Sequence, residues 1–445
     1  FRRVLFRSSL KFEIVKIKIL LIILCIKTTY SDAQNIAAPK QSVPIAIKGA
    51  TIHCAGGKIF NNGVIAFENG KITVLEESRN SKIINQDKYE WIDATGKHIY
   101  PGLIAINTQL GLSEIEAVRA TNDFTEIGAY NPNVRAIIAY NTDSYVIPTV
   151  RSNGVLIAQA TPTGGVISGS SSVMHLDGWN WEDAVLKTDD AIYMYWPNLS
   201  SPPRGGVSNP DEPKPVDQFE KQIKEIRSFF EQASAYSKSP NPEIKNLKFE
   251  ALKSVFEGNR KIFIRANSVI EIQSAIQFME SFNIKPVIVG GQEAWKICQL
   301  LKEKNIPVVF NETHRLPMYE DDNIAQPYKT PVNLALNSIL FSISVDGFWQ
   351  VRNLPFQVGQ AIPFGLDKEK ALDCVTINAA KILGINEQTG SLEIGKDATL
   401  IISDGDIFDI MSNNITHAFI QGKKIDLNNK QKTLNNIYRK KYRLN

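Results

Sequence analysis

The chain carries five histidines, His53, His98, His175, His314 and His417, and the closest two stand 45 positions apart. No His-x-His and no His-Glu-x-x-His therefore occurs. A zinc centre that activates water draws two or three imidazoles from facing elements. Such a set could still assemble from distant residues, but nothing local announces it. The four cysteines, Cys25, Cys54, Cys298 and Cys374, are widely spaced and form neither a disulfide framework nor a zinc cluster. The last three sit in or beside apolar stretches and read as small buried hydrophobes. A Gly-x-Ser-x-Gly elbow, a Walker A loop and a dinucleotide Gly-x-Gly-x-x-Gly are all missing. Thr161–Ser172 is rich in Gly and Ser but has no lysine, so it reads as a mobile loop, with an anion cradle as the alternative. The loop Asn311-Glu312-Thr313-His314-Arg315 follows an apolar run. There His314 could act as a general acid or base without a metal, or serve as a surface or packing residue.

The elements that would position these groups fall into three sections. Ile45–Ile99 reads as strands, with Gly63–Phe67 and Lys71–Leu75 flanking the hairpin dipeptide Asn69-Gly70. Tyr100-Pro101-Gly102 breaks that pattern. Further on, strand and helix alternate with tight loops. Ile262–Ile264 is a strand, Val269–Phe282 a helix, Val287–Val289 a strand, Gln292–Lys304 a helix and Ile306–Phe310 a strand. That order implies parallel strands joined by crossover helices. Ala136–Ala139 and Val155–Ala158 read as earlier strands of the same sheet. Asp367 can cap Lys368–Val375, and Gly384 can end the helix through Leu383. Ser201–Val216 holds five prolines, and Asp217–Ser237 is a charged helix with Phe219, Ile223, Ile226 and Phe230 on one face. This section, 200–246, reads as an insertion, either over the barrel mouth or as a surface excursion. From Gly390 strands return, at Thr399–Ser403 and Ala418–Ile420. The two strand-rich ends are expected to pack together as one small β domain.

With 445 residues, 43% apolar and 22% charged, the chain can bury a large core. No apolar run approaches the roughly 20 residues of a membrane-spanning helix. Residues 1–33 carry seven positive and two negative side chains, and without them the net charge of +4 becomes −1. The segment reads as a secretory signal: a lysine-bearing start, the apolar Ile19–Ile26, then Ser31-Asp32-Ala33 as a cleavage site before Gln34. An exported protein, periplasmic or extracellular, is expected. The first methionine is Met174, so the chain is expected to start at a non-standard codon or to be a fragment, with Phe1–Ser9 open to being non-native. A near-neutral body argues against nucleic acid as a partner. Lys423–Asn445 has eight positive residues against one negative and reads as a solvated terminal helix, the alternative being contact with an anionic surface.

Three stretches resemble the amidohydrolase superfamily, nearest its imidazolonepropionase-like branch, over roughly residues 45–430. They are Ile92-Asp93-Ala94-Thr95-Gly96-Lys97-His98-Ile99-Tyr100-Pro101-Gly102-Leu103-Ile104, Thr376-Ile377-Asn378-Ala379-Ala380-Lys381-Ile382-Leu383-Gly384, and Gly390-Ser391-Leu392-Glu393-Ile394-Gly395-Lys396-Asp397-Ala398. The resemblance implies an α/β fold: a (β/α)8 TIM barrel with a small composite β-sandwich built from both terminal segments. On that scheme residues 1–33 are the signal, 45–100 and 390–430 the sandwich, 101–389 the barrel and 431–445 a basic tail.

The same resemblance implies a metal-dependent hydrolase of non-peptide C–N bonds in a small amide or cyclic amide. Its cofactor would be zinc or another divalent ion. Here the family's strand-one His-x-His is replaced by Asn107 and Gln109, and a later metal-binding histidine by Arg265. The family's strand-eight aspartate matches Asp346. No cofactor is therefore expected. Arg265 stays protonated and cannot ligate a cation. It could grip a small anionic ligand, or pair with Asp346 and stand where the metal stood. Alternatively, Asn107, Gln109, Arg265 and Asp346 simply fill the mouth with hydrogen bonds. Two roles follow as expectations: a hydrolase relying on Asp346 and His314, or a catalytically silent homologue that binds an anion or partners an active amidohydrolase.

Overall fold

The computed structural model describes residues 36–78, 86–199, 215–239 and 244–444. The expected signal segment, residues 1–33, lies outside them, as do 201–214 of the proline-rich stretch. Among the described residues, none forms a helix long and apolar enough to cross a membrane.

Alternating apolar residues at each end of the chain build one eight-stranded sheet. From the N-terminal side come β1 (Ile45–His53), β2 (Ile59–Glu68), β3 (Lys71–Glu77), β4 (Glu90–Asp93) and β5 (His98–Pro101). The order is completed by three late strands: Leu400–Ser403 pairs with β5, Ile415–Ile420 with it, and Lys423–Lys424 closes the edge. The hairpin between β2 and β3 turns on Asn69 and Gly70, both at positive φ, as the dipeptide predicts. Ile47, Ile52, Ile65, Phe67, Leu400, Ile402 and Phe419 form a separate apolar core for this sheet.

The second sheet follows chain order: β6 (Leu103–Thr108), β7 (Val155–Ala160), β8 (Ile167–His175), β9 (Val185–Tyr195), β10 (Lys261–Ala266), β11 (Pro286–Gly290), β12 (Val308–Asn311) and β13 (Phe341–Ser344). It is nearly closed: beyond the ends of β6 and β13, the Gln109 amide donates to the Gly347 carbonyl at 3.0 Å. Period two sorts its side chains. Ile104, Ile157, Val173, Tyr193, Phe263, Val289 and Val309 pack together inside the barrel. Their neighbours Leu103, Leu156, Ile192, Ile264, Val308 and Phe310 join the larger core shared with the helices.

Three sequence expectations need correcting. Seven barrel strands run parallel, but β8 is antiparallel to both β7 and β9. The reason is length: residues 161–166 cannot hold the dozen or so residues that a parallel crossover needs. The Gly/Ser stretch expected as a loop supplies the first six of that strand's nine residues, and Ser168, Ser170, Ser171 and Ser172 are buried in it. Ala136–Ala139, expected as a strand, is a single 3-10 turn. The charged helix is present as Pro215–Ser237, with Phe219, Ile226 and Phe230 buried. It belongs to the β9-to-β10 crossover. Phe230 lies against Phe256, Phe278 and Phe282 of that and the next crossover, a burial that contributes about 2–3 kcal/mol. Asp367 caps Lys368–Cys374, Gly384 ends Ile377–Leu383 in the left-handed region, and Lys430–Tyr442 is a helix with no buried residue.

The terminal sheet meets the barrel through a histidine pair. His53 Nδ1 lies 2.8 Å from Glu369 Oε1, on the helix Lys368–Cys374, and His53 Nε2 lies 3.1 Å from His98 Nδ1. That second contact has room for one proton. Burial, then His53 and Lys368, hold His98 below the ordinary imidazole value, against the pull of Asp406. A depressed histidine stabilises the fold above its ordinary value near 6.5 and loses that contribution as pH falls through the folded value. H98Q should therefore unfold at a temperature less sensitive to pH between 7 and 4.5 than the parent. Parallel melting curves would count against this coupling.

Candidate functional site

The site grows from the inward parity of the barrel strands. On β10, Phe263 points inward and so does Arg265, two residues on. On β12, Val309 is followed at the same spacing by Asn311. Ser342 and Ser344 on β13 lead to Asp346 in the loop beyond. On β6 the register slips between Ala105 and Thr108, which pair with Ala158 and Ala160. The extra residue makes a bulge, and Asn107 takes φ +61° there, a conformation Asn tolerates better than most residues.

These four elements bring Asn107, Arg265, Asn311 and Asp346 together. Arg265 donates from Nη1 to Asp346 Oδ2 at 3.0 Å and from Nη2 to Asp346 Oδ1 at 2.8 Å. Its Nη2 also donates to Asn107 Oδ1 at 2.9 Å. Asn107 Nδ2 donates to Asp346 Oδ1 at 2.7 Å, and Asn311 Nδ2 to Asp346 Oδ2 at 2.8 Å. The guanidinium lies over the Tyr195 ring, 5.2 Å from its centroid. A bidentate arginine–carboxylate pair is among the stronger polar contacts in proteins. Each Asp346 oxygen here accepts two hydrogen bonds.

A second network lies behind the first. Gln159, fully buried on β7, accepts at Oε1 from the Tyr193 hydroxyl at 2.7 Å and from the Asn107 amide at 3.2 Å. Its Nε2 donates to Asp190 Oδ2 at 2.8 Å and reaches Ser171 Oγ at 3.1 Å. Ser171 Oγ donates to Asp190 Oδ1 at 2.8 Å. Burial pushes the Asp190 carboxyl up to about 6, against the bonds from Ser171 and Gln159. At the mouth, burial and then Asp346 push Glu312 up, while Arg315 opposes them.

Of the residues read from the sequence, Asn107, Arg265 and Asp346 meet in one cluster. Gln109 is buried and joins through its backbone amide. His314 is exposed. Its Nδ1 is 2.9 Å from the Tyr328 hydroxyl and its amide donates to Gln357. Sequence reading missed Asn311, Gln159 and Asp190. Asn311 and Gln159 had a sign, since each stands two residues past an inward apolar residue. Asp190 had none, because a charged strand residue ordinarily faces water. Among the described residues, no group of three or more His, Cys, Asp and Glu side chains could hold a metal ion.

The Amidohydrolase family profile matches residues 300–425. An imidazolonepropionase from Picrophilus torridus is 39% identical over 79 residues, 16% of this chain and 20% of that protein. The chain thus matches only about a fifth of that relative's length. These matches support the resemblance to the amidohydrolase superfamily read from the sequence. A 5'-deoxyadenosine deaminase from Methanobrevibacter smithii is 22% identical over 384 residues, 77% of this chain and 80% of that protein. In fold, the chain is similar to an amidohydrolase from Thermotoga maritima: TM-score 0.70, 23% identity, 86% of this chain and 99% of that one. A putative prolidase from Bifidobacterium longum gives 0.53 at 14% identity, over 90% of this chain and 100% of that one.

Three substitutions test these networks. R265M leaves Asp346 with its amide donors only and should cost about 1–3 kcal/mol, moderated because the carboxylate is about a third exposed. Adding D346L should recover part of that loss in urea unfolding. Strictly additive effects would mean the pair carries no coupling. A carboxyl raised from 3.8 to about 6 favours the fold while neutral, so stability falls as pH climbs through that window, by about 3 kcal/mol in all. D190N should flatten the pH dependence of unfolding between pH 4 and 6. A slope equal to the parent's would refute that origin.

Proposed function

We propose that this chain is a catalytically silent amidohydrolase homologue, in which a tethered cation, the Arg265 guanidinium, stands where the family's metal would stand. The observation that carries the reading is the bidentate Arg265–Asp346 contact at 2.8 and 3.0 Å. Family chemistry lowers the pKa of a metal-bound water and passes its proton to the aspartate. The residues at this mouth do not fit a divalent ion. Within the cluster the Asp346 carboxylate is taken up by a fixed positive charge and the other side chains are amides. Glu312 brings a single further carboxyl beside it, and a second cation would be repelled by Arg265. His314 is bonded to Tyr328, and the acidic neighbour of Asp346 is Glu312, whose carboxyl is pushed up by burial and by Asp346. We assign neither as the base of a metal-free hydrolase of amides or cyclic amides.

The same contact ranks the two silent roles. An anionic ligand would have to displace Asp346 from Arg265. Association with an active amidohydrolase needs no vacancy, and we favour it. Ile115 and Ile127, beyond β6, and Leu316 and Ile324, beyond β12, are 55%, 86%, 76% and 70% exposed. Those segments leave the strand ends that carry the cluster, and exposed apolar side chains are a common feature of association surfaces. By the same reading the terminal sheet, with its own core, corresponds to the family's composite β-sandwich, and residues 1–33 direct export.

The test is metal content and amide hydrolysis of protein beginning at Gln34, incubated with zinc and manganese and then dialysed. We expect no stoichiometric metal and no hydrolysis above buffer. About one tightly held ion per chain, with turnover of small amides, would overturn the proposal.

A further inference from the structure

At the opposite end of the barrel the reversed strand delivers a second site. Because β8 runs against its neighbours, the segment after it, Asp177–Trp179, lies where the parallel strands begin, away from Arg265 and Asp346. There a cavity of about 580 Å³ opens between the β2–β3 hairpin, the segment around Lys40, the last strand of the terminal sheet and the β8–β9 connection. The volume is within the roughly 300–1,000 Å³ of small-molecule sites.

Its chemistry is specific in three respects. Trp179 lines it and is 64% exposed, an indole offered to solvent rather than packed away. The charges are mixed and largely spent. Lys71 pairs with Asp397 at 2.6 Å, and Lys423 with Asp177 at 2.9 Å. Gln421 donates from Nε2 to Asp397 at 3.1 Å, leaving its amide oxygen to offer. Behind this wall lies His175, 4% exposed, with both ring nitrogens lacking a hydrogen-bond partner. Burial holds that ring down at about 4, so it stays neutral near pH 7, one nitrogen a donor and one an acceptor. Asp397, Lys423 and Asp177 are the charged groups around it. A multivalent anion would find two of the three lining lysines, Lys71 and Lys423, already paired, and a cation would meet all three. A purely apolar guest would strand the amide and carboxylate groups. A neutral ring with an apolar C–H face and hydroxyl edges satisfies all of them: the face against the Trp179 indole, the edges to Asp183, Lys40 and Gln421.

We propose that this cavity is a carbohydrate-binding site for one or two neutral sugar rings. It is independent of the barrel mouth, and its function survives whether or not the mouth is silent.

The test is titration of the full chain with maltotriose, cellotriose, N,N'-diacetylchitobiose and, as the charged comparator, a sulfated disaccharide. Binding is followed by tryptophan fluorescence and calorimetry. At least one neutral sugar should saturate with Kd at or below about 1 mM. W179A should weaken that binding at least about tenfold, and D183N should weaken it without altering the melting temperature. R265M, at the other end, should leave it unchanged. Failure of all neutral sugars to saturate, salt-sensitive binding of the sulfated sugar alone, or binding indifferent to W179A would each overturn the proposal.

Discussion

A barrel interior excludes water, so every polar group inside it must find its partner in the protein, and Gln159 is where this molecule meets that demand. Its amide touches four groups at once: the Tyr193 hydroxyl, the Asn107 amide, Ser171 and Asp190. Leaving any one of those buried groups unbonded would cost about 1–3 kcal/mol. The bulge at Asn107 is part of the same arrangement, since Gln159 holds the backbone amide of the residue whose side chain enters the Arg265–Asp346 cluster. A carboxylate buried at Asp190 and an ion pair at the mouth are thus linked through one neutral side chain.

At the mouth one guanidinium and one carboxylate satisfy each other. A divalent ion brings positive charge that can exchange with solvent. A guanidinium brings one that cannot leave and that arrives with fixed donor geometry. Tyr195 beneath the guanidinium, with Asn107 and Asn311 beside the carboxylate, completes a set in which donors and acceptors are matched.

Much of this was legible from residue order. Strand–helix alternation over 262–310, the Asn69-Gly70 turn and the Asp367 cap are each specified locally, and each is present. Arg265 and Asp346 were identifiable by resemblance, and parity places Arg265 on the inner face of its strand. What escaped was set by tertiary context. Ser168–Ser172 carries no β-branched or aromatic residue, so nothing local marks a strand, yet small side chains are what the crowded barrel wall beside Val134 accepts. At Gly169, with φ +138°, a Cβ would stand 2.6 Å from the Val134 carbonyl oxygen. Asp190 escaped because its stability inside depends on Gln159 and Ser171, which are distant in sequence.

The reversal of β8 also changes how the barrel can be assembled. A barrel of crossovers alone must close long loops before its strands pair, and that entropy slows folding. Here β7, β8 and β9 form an antiparallel meander within residues 155–195. Pairing of this kind between near neighbours in sequence closes short loops. The meander supplies a three-stranded template on which the parallel strands can add one after another, β10 at one edge and β6 at the other.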